Sequence, residues 1–228
     1  MNDAIVIVAA MPGELKPLVR SWAALETVDG VDGWQHPNGP IMAFAGGMGA
    51  GAAMRAFGRA RQVCEPMQLM SAGWAGALRQ EMMPGAVVKA SMVRDLNTGE
   101  MFAAEGNGGL LLTASRVAIR EEKHRLGNTY DGAVAVDMEA AALARLAVAH
   151  GLQFRAIKAV SDTLDEDLPD MNPFVTPQGQ FATARFIAHV AAKPKYWSSL
   201  AQFGKQAKLA AENLCAAIAD EIGIERPR

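Results

Sequence analysis

Cysteine is scarce in this chain: Cys64 and Cys215 are the two in 228 residues, far apart and without metal-ligand spacing around either. That excludes a disulfide framework and a structural zinc site, and free thiols in a reducing compartment are expected. Charge of one sign is lacking too. The 22 basic and 24 acidic side chains leave a formal charge of −2, which gives no electrostatic footprint for nucleic acid. No apolar run is long enough to span a bilayer. The opening "MNDAIVIVAAMPGELK" has no basic leader segment, so it reads as a first buried strand of a cytoplasmic protein. The four histidines, His36, His124, His150 and His189, are scattered and read mainly as surface or packing residues. G-x-S-x-G, H-E-x-x-H and a Cys–His pairing are all missing, as are internal repeats and low-complexity tracts.

What is present is the composition of a close-packed α/β protein: half the residues are hydrophobic and a fifth charged. Continuous apolar runs at 4–10, 41–45, 68–73, 86–93, 110–113, 133–136 and 154–160 suit strands covered on both faces. Helical spacing fills 14–25, 50–63, 117–126, 138–150, 180–191 and 198–222. The alternation predicts one domain over 1–228, a three-layer α/β/α sandwich around a mixed central sheet, with a C-terminal helical extension at about 180–222. The proline-bearing stretch at 168–179 reads as a binding loop or lid.

In such folds ligands gather beyond the carboxyl ends of strands. Three acids stand there: Glu14 after the first strand, Glu139 after the sixth and Asp162 after the seventh. Each also has an ordinary structural reading. Glu14 fits the first turn of a helix, Asp162 fits an Asx-turn, and Asp137 beside Glu139 is placed to N-cap a helix starting at Met138. Converging carboxylates with no metal set and no cofactor suit acid–base work on a bond that breaks toward an oxocarbenium-like centre.

The same residues carry a resemblance. "IVIVAAMPGELKPLV", "FAGGMGAGAA", "LMSAGWAGAL" and "AVDMEAAALARLAVAHGLQFRAIKAVSD" resemble the opening strand and loop, the glycine turn, the central T-G-x-A-G-G-L segment and the V-E/D-M-E-A…S-D signature of one branch of the purine nucleoside phosphorylase superfamily. That branch is the methylthioadenosine/S-adenosylhomocysteine nucleosidases, and the match runs roughly over 4–165. It implies a homodimer acting on a small-molecule nucleoside. Glu14 would activate water, Glu139 would hold the ribose hydroxyls and stabilise the sugar cation, and Asp162, oriented by Ser161, would donate a proton to purine N7. The donor must carry that proton, a state that burial favours. Met138 would pack on the sugar, with Met11 and Met48 on its 5′ side. Ala75 and Gly76 would let the backbone approach the ligand, Val117 and Ala118 would hold adenine through the main chain, and Trp74 stands where the family has a small residue.

Hydrolysis is favoured over phosphorolysis. The phosphorylase-type G-D-x-x-R loop is missing, Ser71 stands where hexameric phosphorylases place an arginine, and Arg20, Arg55 and Arg94 form no recognisable clamp. A short segment between "AVVKASMV" and "LLLTASRV", with a long tail after Asp162, resembles the hopanoid-associated branch, whose members remove adenine from adenosylhopane. Lys193, Lys195, Tyr196 and Trp197 precede an amphipathic helix bearing Leu200, Phe203, Ala207, Leu214 and Ile218, read as a packing face, with membrane contact as the alternative. Gly47, Gly49 and Ala52 satisfy the G-x-G-x-x-A pattern of a dinucleotide site, but no acid ends the next strand. A nucleoside-binding protein without turnover is the remaining alternative.

Overall fold

The computed structural model of the chain describes residues 4–166, 169–176, 178–191 and 197–226. Its strands are β1 (Ala4–Ala9), β2 (Ala23–Val28), β3 (Val31–Gln35), β4 (Ile41–Ala45), β5 (Pro66–Ala77), β6 (Val87–Lys89), β7 (Met92–Asp95), β8 (Met101–Ala103), β9 (Leu110–Thr113), β10 (Ala133–Asp137) and β11 (Gln153–Asp162). The α-helices are α1 (Pro12–Val19), α2 (Ala50–Val63), α3 (Arg120–Thr129), α4 (Ala140–His150), α5 (Thr183–Ala191) and α6 (Trp197–Ile222). The strands form one mixed sheet in the order β2-β3-β4-β1-β5-β10-β9-β7-β8, with β11 branching from β5 and β6 pairing with β11. β1 and β11 run parallel to β5 on its two sides, and β10 meets the far end of β5 antiparallel, at Ala77 and Gly76. Four strand ends thus gather around the second half of β5.

Helices cover both faces. On one, the small side chains of α2 (Ala52, Ala53, Ala56, Ala60) and α4 (Ala140, Ala141, Ala144, Ala147) are almost fully buried against the sheet and each other. Methyl-sized contacts allow close approach of two helices, and this one brings the start of α2 beside the start of α4. On the other face α6 lays Ala210, Leu214, Cys215 and Ile218 against Leu15, Leu18 and Val19 of α1. Burying a Leu or Ile of this kind contributes roughly 1.5–3 kcal/mol. This later part of the α6 stripe is therefore a packing face. Among the described residues no helix is long and apolar enough to cross a membrane. Lys193, Lys195 and Tyr196, and the side chains of Trp197 and Leu200, lie outside the described residues.

The sheet exceeds the sequence-based expectation at one edge. The helix expected over 14–25 stops at Val19, and 23–35 forms the antiparallel hairpin β2–β3. Its turn is Asp29-Gly30, with φ of 52° and 73°. An Asp-Gly pair of this conformation matches the twist of a hairpin, so the local signal was present and was outweighed by the helical spacing before it. The run at 86–93 is two short strands, β6 and β7, and β8 went unpredicted.

Candidate active site

A cavity of about 290 Å³ opens where β1, β5, β10 and β11 end. Its lining includes Met11, Glu14, Met48, Trp74, Ala75, Gly76, Val117, Ala118, Met138, Glu139, Ser161 and Asp162, the twelve positions to which the resemblance gives a role against the nucleoside. Ala10, Arg116, Val136, Asp137, Met171, Phe181, Phe186 and Phe203 complete the wall.

Glu14 lies in the first turn of α1 and is 3% exposed. Its Oε2 accepts from the Met11 N–H at 2.7 Å, the reach-back of a Glu at the third helical position, and its Oε1 accepts from the Trp74 N–H at 2.8 Å. Burial pushes the Glu14 carboxyl above its ordinary value, against those backbone donors and the charge of Lys158. Glu139 is the N-cap residue of α4. Its Oε1 accepts from the N–H of Gly49, the N-cap of α2, at 2.6 Å. Glu139 thus sits where two helices start, and the positive ends of both favour its charge. Even so, burial, with Asp137 and Glu14 as like-charged neighbours, raises its carboxyl to about 7.

Asp137 does not occupy the N-cap expected of it, because α4 begins two residues later, at Ala140. It still serves the helix start, accepting from the Ala140 N–H at 2.9 Å on Oδ2, while Thr113 donates to Oδ1 at 2.7 Å. Its chief partner is a residue the sequence reading passed over. Lys158 on β11 is fully buried, 2.9 Å from Asp137 Oδ2, and donates to Ala72 O at 3.2 Å. Burial alone would lower its ammonium, but Asp137, Glu139 and Glu14 outweigh that and raise it. A lysine inside the apolar run "FRAIKAVSD" was the available signal.

At the other end, the register of β11 against β5 slips between Val160 and Asp162, leaving Ser161 as an extra residue. Neighbouring side chains on a regular strand point to opposite faces; the bulge turns Ser161 toward Asp162. The Ser161 hydroxyl donates to Asp162 Oδ1 at 2.7 Å and lies 3.4 Å from Ala75 O. The other oxygen, Oδ2, accepts from Lys123 Nζ of α3 at 2.7 Å. Lys123 sits in the charged run "REEKHR", where sequence alone does not mark it off from a solvated lysine.

Val117 lines the cavity, yet its N–H and C=O are both bonded to the Asn172 side-chain amide, at 2.9 and 3.1 Å. For its main chain to meet a ligand, that amide must give way. The described part of the 168–179 segment contributes Met171 to the wall. Arg55 donates to the carbonyls of Gly46 and Gln178, and Arg94 lies over the Tyr130 ring. Neither lines the cavity, nor does Arg20; Arg116 is its one lining arginine among the described residues. The glycine turn at 46–49 does not offer its helix start to a pyrophosphate, because the Gly49 N–H is held by Glu139.

The family model of the phosphorylase superfamily matches residues 98–218, more than half of the chain. The chain belongs to that superfamily. A comparison with curated proteins finds no match. Among solved structures, the 5′-methylthioadenosine/S-adenosylhomocysteine nucleosidase of Neisseria meningitidis, in complex with methylthio-immucillin-A, is similar at a TM-score of 0.71 and 18% identity, over 96% of this chain and 98% of that one. The S-adenosylhomocysteine nucleosidase of Streptococcus pyogenes is similar at a TM-score of 0.63 and 22% identity, over 72% and 85% of the respective chains. The futalosine hydrolase of Helicobacter pylori is similar at a TM-score of 0.69 and 17% identity, over 97% and 99%. At these identities the likeness is one of fold. The mixed sheet with helices on both faces is thus the phosphorylase-superfamily architecture, as the sequence motifs implied, and the chemistry has to be argued from the cavity.

Proposed function

We propose that this superfamily member is a nucleosidase that hydrolyses the N-ribosidic bond of an adenine nucleoside carrying an apolar 5′ substituent. The observation that carries the reading is the meeting of Glu14, Glu139 and Asp162, distant in sequence, on one cavity of nucleoside size. Two nucleosidases and a futalosine hydrolase with the same fold support the reaction class.

In this reading Glu14 is the general base. Its two backbone donors fix the carboxylate, and burial raises its basicity toward the value suited to taking a proton from water near neutral pH. Glu139 accepts from the ribose hydroxyls and, ionised, faces the cation that develops at C1′. Charge fixed in a dry cavity is worth far more than the same charge in water. Asp162 faces N7 of the departing base, and a proton delivered there lets adenine leave neutral. Gripping a phosphate dianion calls for converging donors and arginines. The buried carboxylates at this end would repel it, so water is the proposed nucleophile. The remaining wall, with Met48, Met138, Met171, Phe181, Phe186 and Phe203, suits an apolar 5′ group. An adenosyl lipid such as adenosylhopane is the finer proposal, and a homodimer of this chain the proposed assembly.

The test is free-base release from methylthioadenosine, adenosylhomocysteine, inosine and an adenosyl lipid, with and without phosphate. Adenine release independent of phosphate is expected, fastest with the apolar 5′ groups, and Glu14→Gln should lower kcat by roughly 10²–10⁴-fold. Phosphate-dependent release would make the protein a phosphorylase. Cleavage of inosine alone would refute the adenine assignment, and binding without any release would leave a nucleoside-binding protein.

A further inference from the structure

Lys123 is out of character with its surroundings. Glu121, Glu122, His124 and Arg125 on either side of it in α3 are at least partly exposed, whereas Lys123 is 1% exposed. A buried ammonium is tolerated only with partners, and this one has two, Asp162 Oδ2 at 2.7 Å and the carbonyl of Thr163. It does not line the cavity but stands directly behind Asp162, which does. Gly76 leaves room for the stem: a Cβ there would lie 3.3 Å both from Lys123 Cδ and from Asp162 Oδ2. With Ser161 donating to the other oxygen, every bond drawn to the Asp162 carboxylate is one it accepts. Ion-paired in this way, Asp162 has no proton of its own to give, and the transferable proton is on Lys123.

We infer that Lys123 is the proton source for the departing base, acting through Asp162. The inference rests on the nucleosidase reading above and changes who supplies the proton in it. As the C1′–N9 bond breaks, its electron pair passes onto the purine. Oδ2 of the Asp162 carboxylate takes a proton from Lys123 Nζ, and the carboxyl group so formed passes a proton on to N7. Lys123 ends as a neutral amine, the base leaves neutral, and the proton lost by the attacking water is on Glu14. After product release, solvent carries that proton away from Glu14 and returns one to Lys123. Lys123 touches no reacting atom, so it is a positioning and proton-storing residue, with Asp162 as the group in contact.

The test compares leaving groups in the full-length protein. Lys123→Gln keeps a hydrogen-bond donor of nearly the same reach but has no proton to transfer. It is expected to lower kcat for adenine release by roughly 10²–10⁴-fold with KM unchanged. Turnover of 4-nitrophenyl riboside, whose leaving group departs without a proton, should be unaffected. Lys123→Arg keeps the charge but holds its proton too tightly to give it up, so its adenine rate should stay as low as that of Lys123→Gln, and this outcome decides the matter if the wild-type protein rejects the nitrophenyl riboside. Equal losses on both substrates, an adenine rate near wild type in Lys123→Gln, or an adenine rate recovered by Lys123→Arg would each overturn the inference, with thermal melting reporting that the variants fold. A wild-type protein that releases no base from any nucleoside overturns the nucleosidase reading itself, and this role with it.

Discussion

At one end of the cavity three buried carboxylates, Glu14, Asp137 and Glu139, share one ammonium, Lys158, whereas at the other the one buried carboxylate, Asp162, is paired with Lys123, and Glu166, which is less buried, lies near both. Both ends are buried, so the difference lies in charge balance and not in access to water. The first end holds more negative charge than its cation offsets: burial pushes the carboxyls of Glu14 and Glu139 up, and for Glu139, raised to about 7, the like charges of Asp137 and Glu14 add to it. Net charge held out of water is unfavourable in the folded state unless something of opposite sign arrives. A ribosyl cation in formation is such a species. The buried pair at the second end, Asp162 with Lys123, is balanced and needs no ligand to settle it. The contrast therefore separates a region strained toward binding positive charge from one arranged to hand over a proton.

Removing the shared cation should have the largest effect. Lys158→Met leaves Asp137 buried without its partner and is expected to destabilise the protein by about 3–5 kcal/mol, read from denaturant unfolding. A loss well under 1 kcal/mol would mean that the three carboxylates are not all ionised together.

Next in size is the response to pH. Because Glu139 has to be ionised to meet a cation, kcat/KM should fall as pH drops below about 7, in a pH profile of base release. Stability should move the other way. The folded-state value is raised from 4.5 to about 7, so the folded protein binds the proton more tightly. Whatever stability this group contributes is full below pH 4.5 and is lost as pH rises through 7. Glu139→Gln should then melt above wild type at pH 8 and not at pH 4, while losing activity, a trade of function against stability. A lower melting temperature for the variant at pH 8 would show that the site is not strained.

The smallest effects are expected at two glycines of β5. A Cβ at Gly73, where φ is +141°, would fall 2.9 Å from Glu14 Oε1, whereas at Gly76 it would meet Asp162 Oδ2 at 3.3 Å. Gly73→Ala is expected to destabilise by about 1–3 kcal/mol. Gly76→Ala should stay near 1 kcal/mol, its larger effect falling on turnover. Melting temperatures of the two variants check the order.

These ends were not equally legible in the sequence. Glu14, Glu139 and Asp162 announced themselves as charges following apolar strand runs, and the motifs around them carried the family. Lys158 left a trace that the motif reading passed over, a charge within a buried strand. Lys123 left none, because a helix rich in charged residues says nothing about which one turns inward; that depends on how α3 lies against the end of β5. The fold divides similarly. Long apolar runs and alanine-faced helices gave the sandwich, whereas the β2–β3 hairpin was lost because its outer strand, β2, is largely exposed and carries little apolar pattern. Its Asp-Gly turn was the better guide.

One strand touches both charge clusters through its main chain. β5 donates the Trp74 N–H to Glu14, accepts Lys158 at Ala72 and lies beside Ser161 at Ala75, all within four consecutive residues. The spacing between nucleophile and leaving group is therefore set by peptide geometry, which no side-chain replacement can retune. Divergence toward a new substrate would have to proceed at the rim, in the loops and α6, while the distance over which the bond is stretched stays inherited.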